Sequence, residues 1–188
     1  RSDPVARWHT KIAEASARFG VPVAWIERVM RAESGGMTML NGRPITSRAG
    51  AMGLMQLMPA TWAAMREAYG LGGNPYDPRD NILAGTAYLL AMYDLFCYPG
   101  LFGAYNAGPG RYAEFIASGR PLPGETRAYL ATVTGTAPQE MSSAPSATPS
   151  SPPPLFFVLR TAVKSVDLPP SRPPDASPDS LFAVRAPR

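Results

Sequence analysis

The chain has 188 residues, 45% of them apolar and 17% charged, with a net charge of +4, a pI near 9.5 and one cysteine. Its basic residues form no dense cluster and accompany no nucleic-acid recognition motif, which excludes a nucleic-acid binder; an anionic polymer or a membrane surface fits the mild positive excess. A lone cysteine also excludes an intrachain disulfide, and a core of this size needs none.

The first helix is expected from Asp3 and Pro4, an N-cap and first-turn pair, through Val5, Trp8, Ile12, Ala15 and Phe19 to the stop at Gly20. A second runs from about Pro22 to Glu33. The stretch from Ser34 to Leu57 holds five glycines and little periodicity, with a small hairpin over Met39 to Thr46; a loop this long in a compact domain is a candidate rim of a binding groove. Pro59 opens a helix that Gly70 closes, and Asp77 with Pro78 opens a longer one that ends before Pro99. Gly85 marks a close approach of a neighbour to that helix, and Cys97 is expected buried at its end. Shorter helices follow around Leu101 to Tyr105, Gly110 to Ser118 and Glu125 to Val133, so the fold class is all-α with at most a small hairpin. From Ala137 onward lie twelve of the 22 prolines, a density that forbids regular helices over most of that stretch. One compact domain over residues 1–136 and a disordered or extended Pro/Ser/Ala-rich tail over 137–188 are therefore expected. No transmembrane segment is read: the longest apolar run of the tail, Leu155 to Val166, is short and carries Arg160 and Lys164. The first residue is Arg1 rather than Met, so a secretion signal is neither seen nor excluded.

Glu33 is the residue that breaks the pattern. The second helix has apolar side chains at Ile26, Val29 and Met30, and the next position on that face is Glu33, followed at once by Ser34, Gly35 and Gly36. A carboxyl group facing the core at a loop mouth is costly to ionise and keeps its proton near neutral pH, as a general acid must. The same pattern also fits a helix-end glutamate whose stem packs while its carboxylate turns to solvent.

Three more segments carry chemistry. In AMGLMQLMPAT, Ala51 to Thr61, Gln56 is an amide among apolar neighbours, able to donate to and accept from a ligand bearing hydroxyl and acetamido groups. In AYNAGPG, from Ala104, Tyr105 and Asn106 offer polar heads beside residues small enough for close backbone approach. In GETRAYL, from Gly124, Glu125 and Tyr129 are four apart and share a helix face.

Together these segments resemble the soluble lytic transglycosylase family. ESGG at Glu33 is similar to the family's catalytic Glu-Ser motif, and SRAGAMGLMQLMPAT, Ser47 to Thr61, to its Ser-x-x-Gly-x-x-Gly-Leu-Met-Gln-x-Met-Pro pattern; AYNAGPG and ETRAY match the third and fourth motifs, in order, over Val21 to Val133. The spacing from Glu33 to Gln56 is longer than in the commonest members, which bears on Met37 to Arg48 and on Ser47. The resemblance implies a lysozyme-like fold and, residue by residue, Glu33 as catalytic acid and base. It implies Ser47 and Gln56 in sugar subsites, Met58 against substrate, Tyr105 and Asn106 at the floor, Tyr129 on Glu33, and Glu125 on the sugar or peptide side. It further implies cleavage of the peptidoglycan glycan strand to a 1,6-anhydro sugar without metal or cofactor, in the bacterial periplasm or cell envelope. A hydrolysing muramidase and a glycan-binding assembly component remain as alternatives. Small size, the ESGG form and the tail also resemble transglycosylases that accompany conjugation and type IV secretion machines, which implies machinery proteins as partners of the tail.

Overall fold

The computed structural model of the protein describes residues 3–135; the tail expected over 137–188 and the boundary at 136 lie outside them. A 3₁₀ turn, Ala6–Trp8, leads into α1 (His9–Phe19), followed by α2 (Val23–Glu33), β1 (Met39–Leu40), β2 (Arg43–Pro44), α3 (Pro59–Tyr69), α4 (Pro78–Ala107), α5 (Pro109–Ser118) and α6 (Gly124–Thr134). The described residues are thus mainly helical with one small antiparallel sheet, the class expected from sequence.

Helix ends follow local chemistry. Proline stands in the first turn of α3, α4 and α5, where its missing N–H costs nothing, and Asp77 caps α4 by accepting from the Asp80 N–H at 2.9 Å. The central element is α4, which packs against α1, α3, α5 and α6 and buries Ile82, Leu83, Leu89, Leu101 and Phe102 completely. By length and composition alone α4 could cross a membrane; here its apolar surface forms the core of the helical assembly.

One expectation about α4 is met and one is corrected. The helix loses its geometry ahead of Pro99, at Cys97 (φ 54°) and Tyr98, and a second helical stretch follows the break and runs to Ala107, in line with the separate helix expected around Leu101 to Tyr105. Cys97 is exposed, not buried. Proline lacks the N–H for the ladder and pushes the preceding residue out of the α region, so the helix breaks ahead of Pro99, and Cys97 lies exposed at that break.

The stretch between α2 and α3 is more ordered than its composition suggests. Met39 pairs with Pro44 and Leu40 with Arg43, across a two-residue turn in which Asn41 (φ 51°) and Gly42 (φ 76°) both have the positive φ that such a hairpin needs. Bridges between Thr46 and Met52, and between Met52 and Leu57, extend the lobe toward α3. This is the hairpin read over 39–46, with one further layer.

Candidate active site

The apolar face of α2 ends on a carboxyl group. Ile26, Val29 and Met30 are fully buried, and one turn on, Glu33 is half-buried as the last residue of the helix. Ser34 and Gly35 both return their N–H groups to the Met30 carbonyl, at 3.0 and 3.1 Å, and the Ser34 hydroxyl accepts from the Gly36 N–H at 3.2 Å. The Gly36 carbonyl in turn accepts from Trp8 Nε1 at 2.9 Å and Arg7 Nη2 at 2.8 Å. The end of α2 is thereby fastened, through the first residues of the loop, to Arg7 and Trp8.

Burial pushes the Glu33 pKa up to about 7, and a hydrogen-bonding interaction with Tyr129 works against it. No second carboxylate contributes to that shift.

Two tyrosines, Tyr129 and Tyr105, stand near Glu33, and Tyr88 packs against Tyr105. The Tyr129 and Tyr105 pKa values are raised, first by burial and then by the Glu33 charge, and burial lifts Tyr88 to about 12, so all three stay protonated phenols near neutral pH. Their tasks differ. Tyr105 gives its one proton to the Met55 carbonyl at 2.7 Å and packs its ring on Tyr88, with centroids 5.2 Å apart. Tyr129 is close enough to Glu33 to lower its pKa, yet its buried hydroxyl completes no hydrogen bond of full geometry. Tyr129, unlike Tyr105, therefore keeps its donor proton uncommitted near the Glu33 carboxyl.

Met55 joins this wall to the loop that carries Gln56. The Asn81 side chain, buried on α4, accepts from the Met55 N–H at 2.7 Å and donates to the carbonyls of Met52 at 3.1 Å and Pro75 at 2.8 Å. A Cβ on Gly85 would lie 2.5 Å from the Met55 Cβ, so glycine is what allows that loop to lie against α4, the close approach its position in the helix predicts. Gln56 itself sits at φ 47°, and its Nε2 donates to the Gly53 carbonyl at 2.8 Å. That leaves the Gln56 Oε1 as an acceptor for something else.

The other expected site residues lie at the periphery. Ser47 is exposed, and its Oγ accepts from the Ala51 N–H at 3.0 Å. Met58 is exposed at the head of α3, and Asn106 is half-buried near the end of α4 with no hydrogen bond to its amide among the described residues. Glu125 is exposed in the first turn of α6, one turn before Tyr129. Glu33, Tyr105, Tyr129 and, through Met55, the Gln56 loop are brought together; no hydrogen bond or ion pair links Ser47, Met58, Asn106 or Glu125 to the Glu33 carboxyl.

The model of the family described as "Transglycosylase SLT domain" matches residues 10–123, which contain Glu33, the Gln56 loop and Tyr105. The chain belongs to the SLT transglycosylase family. The SLT segment is 42% identical over 91 residues to a transglycosylase of Enterobacteria phage PRD1, covering 48% of this chain and 30% of that protein. It is 38% identical over 81 residues to the soluble lytic murein transglycosylase of Escherichia coli K12, covering 39% of this chain and 13% of that one. An inactive mutant of the lytic transglycosylase from Pseudomonas aeruginosa superposes with a TM-score of 0.57 and 29% identity, over 66% of this chain and 22% of that one. The chain thus spans less than a third of each of these relatives. Its lysozyme-like SLT fold is the one the resemblance implies.

Asn81 and Tyr88 are the residues of this SLT site that sequence reading missed. A signal for Asn81 was present: it is a polar residue directly before Ile82 and Leu83 in a helix with an apolar core face, the same anomaly that marks Glu33. Among the described residues no three His, Cys, Asp or Glu side chains converge as a metal site.

Proposed function

We propose that this SLT domain is a peptidoglycan lytic transglycosylase, cutting the β-1,4 bond between N-acetylmuramic acid and N-acetylglucosamine with formation of a 1,6-anhydro-muramic product. The observation that carries this reading is one half-buried carboxyl group with a pKa of about 7 and no second carboxylate contributing to it. Two-carboxylate glycosidases place the pair about 5 to 9.5 Å apart, whereas substrate-assisted enzymes use a group of the sugar instead. The names of the relatives, murein transglycosylases among them, support the same assignment.

In this mechanism Glu33 gives its proton to the oxygen leaving from C1 of the muramic acid, and the C1–O bond breaks. The sugar's own 2-acetamido oxygen stabilises the positive charge at C1. The Glu33 carboxylate, steadied by the Tyr129 hydroxyl, takes the proton of the C6 hydroxyl as that oxygen closes onto C1. Glu33 ends protonated, as it began, and no water is consumed. Gln56 Oε1, the Ser47 hydroxyl and the Asn106 amide serve as the sugar-binding groups, with Met58 packed on the substrate and Glu125 on its sugar or peptide side. Tyr105 acts from below, by holding Met55.

The domain over 1–136 is read as the catalytic unit, working in the bacterial cell envelope, and the Pro-rich stretch over 137–188 as its attachment to secretion or conjugation machinery proteins, a role its composition motivates. Mass spectrometry of digested peptidoglycan tests the central claim. Anhydro-muropeptides are the expected product; reducing ends alone would make the protein a hydrolytic muramidase, and no cleavage would leave it a glycan-binding component.

A further inference from the structure

Three aromatic rings reach the surface at the opposite end of α2 from Glu33. Trp25, in the first turn of α2, is half-buried, and Tyr93 and Tyr98 of α4 are exposed beside it. Each tyrosine ring centre lies 5.5 Å from that of Trp25, Tyr98 stacked at 26° and Tyr93 tilted at 54°. The fully buried Phe102 ring forms the floor, 5.9 Å from Trp25 and 6.0 Å from Tyr98. The backbone that presents Tyr98 is strained, because Cys97 before it holds φ 54°, in the left-handed region that favours glycine.

What this patch offers a ligand is one-sided. Trp25 Nε1 and the hydroxyls of Tyr93 and Tyr98 make no hydrogen bond among the described residues, so three donors stand beside open ring faces. A matching ligand has carbonyl acceptors, few N–H groups and flat apolar surface. That is the chemistry of a proline-rich segment, whose prolines carry a carbonyl and no N–H, and aromatic-lined surfaces take such segments as polyproline II helices.

The chain carries such a segment within reach. Pro149, Pro152, Pro153 and Pro154 form the first dense proline run after α6, and no charged residue occurs from Met141 to Pro154; the run lies outside the described residues. Helix α6 packs against both α2 and α4, the helices that carry the patch. The connection from Thr136 to Thr148 spans up to about 45 Å fully extended and about 20 Å on average as a flexible linker. In a polyproline II helix Pro149 and Pro152 share a face, about 9 Å apart. Two tyrosines that each lie 5.5 Å from a central tryptophan span no more than twice that distance, which suits the spacing.

We propose that the patch of Trp25, Tyr93 and Tyr98 docks the chain's own run from Pro149 to Pro154, latching it to the α2–α4 face away from the Glu33 carboxyl. The tether sets an effective concentration on the order of mM, so a contact too weak to persist between separate molecules is filled within one. The latch does not depend on the reaction assigned to Glu33.

Cys97, exposed and the one cysteine of the chain, places a reporter next to the patch. In the full chain, a nitroxide on Cys97 is expected to broaden the amide NMR signals of Ser150 and Ser151 beyond detection, and Pro149→Ser with Pro152→Ser restores them. Without the nitroxide, the Trp25 indole N–H signal shifts on the same double substitution, which leaves every residue of the helical domain unchanged; this second measurement reads the contact even if the nitroxide blocks it. Serine signals that survive the nitroxide together with an unmoved indole signal overturn the docking, as does broadening that persists in the double variant. Broadening that arises only between molecules, when spin-labelled protein is mixed with isotope-labelled protein lacking the nitroxide, puts a second copy's tail on the patch and overturns the latch within one chain.

Discussion

The wall that carries Glu33 and the lobe over residues 37–58 are neighbours held in opposite ways. The wall is made of packed side chains: Ile26, Val29 and Met30 have no exposed surface, and the tyrosines beside the carboxyl are largely sealed from water. The lobe turns large apolar side chains outward, with Met37, Met39, Leu40 and Met58 between 44% and 51% exposed, and depends on backbone bonds, two bridges and one buried asparagine. Burial is what shifts a pKa, so in the proposed mechanism the proton chemistry falls to the wall. Exposure is what leaves surface for a ligand, so the same proposal assigns recognition to the lobe.

The largest effect expected from breaking this division is at Glu33. Glu33→Gln keeps the shape and removes the transferable proton, and turnover of peptidoglycan should fall by about 10²- to 10⁴-fold. The same variant reports on burial through stability. Because the folded pKa is raised from 4.5 to about 7, the folded state holds this proton more tightly than the unfolded chain does. That contribution is complete below pH 4.5 and is lost as pH rises through 7. Relative to wild type, Glu33→Gln should therefore gain stability between pH 4.5 and 8, by up to about 3 kcal/mol. A difference in Tm that stays flat with pH would place the carboxyl in water.

Next in size is Asn81→Ala, which removes the tie between wall and lobe. The buried Met55 N–H and the carbonyls of Met52 and Pro75 lose their partner, a cost of about 3 kcal/mol by thermal unfolding, and activity should fall with it as Gln56 loosens. Wild-type stability in this variant would mean that the lobe is held by other contacts. A smaller and more selective change is expected at Tyr129. Tyr129→Phe takes away the group that lowers the Glu33 pKa, so the alkaline limb of the kcat/KM profile should move to higher pH while kcat falls; an unmoved limb would separate Tyr129 from the proton transfer. Least of all, Met39→Ser on the exposed face of the lobe should change stability by no more than about 0.5 kcal/mol, since it removes no buried contact.

Much of the helical frame was legible in the sequence because its signals are local. Pro59, Pro78, Gly20 and Gly70 act through their own φ and their own N–H, and the i, i+3, i+4 pattern of Ile26, Val29 and Met30 needs only helix geometry to place Glu33 inward. Where signals act at a distance the reading was incomplete. Nothing local says that Asn81 reaches Met52, Met55 and Pro75 at once, that Tyr105 spends its proton on Met55, or that the break ahead of Pro99 leaves Cys97 outside.

By itself, then, the sequence determined the mainly helical class, the place of the hairpin and the identity of the carboxyl at the end of α2, since each follows from backbone preference and periodicity. Only the tertiary structure decided that Tyr105 commits its proton to Met55 while the Tyr129 hydroxyl stays uncommitted, and how the Gln56 loop is fastened to α4. Those are properties of groups far apart in the chain, and their hydrogen bonds and burial exist only once the helices have packed.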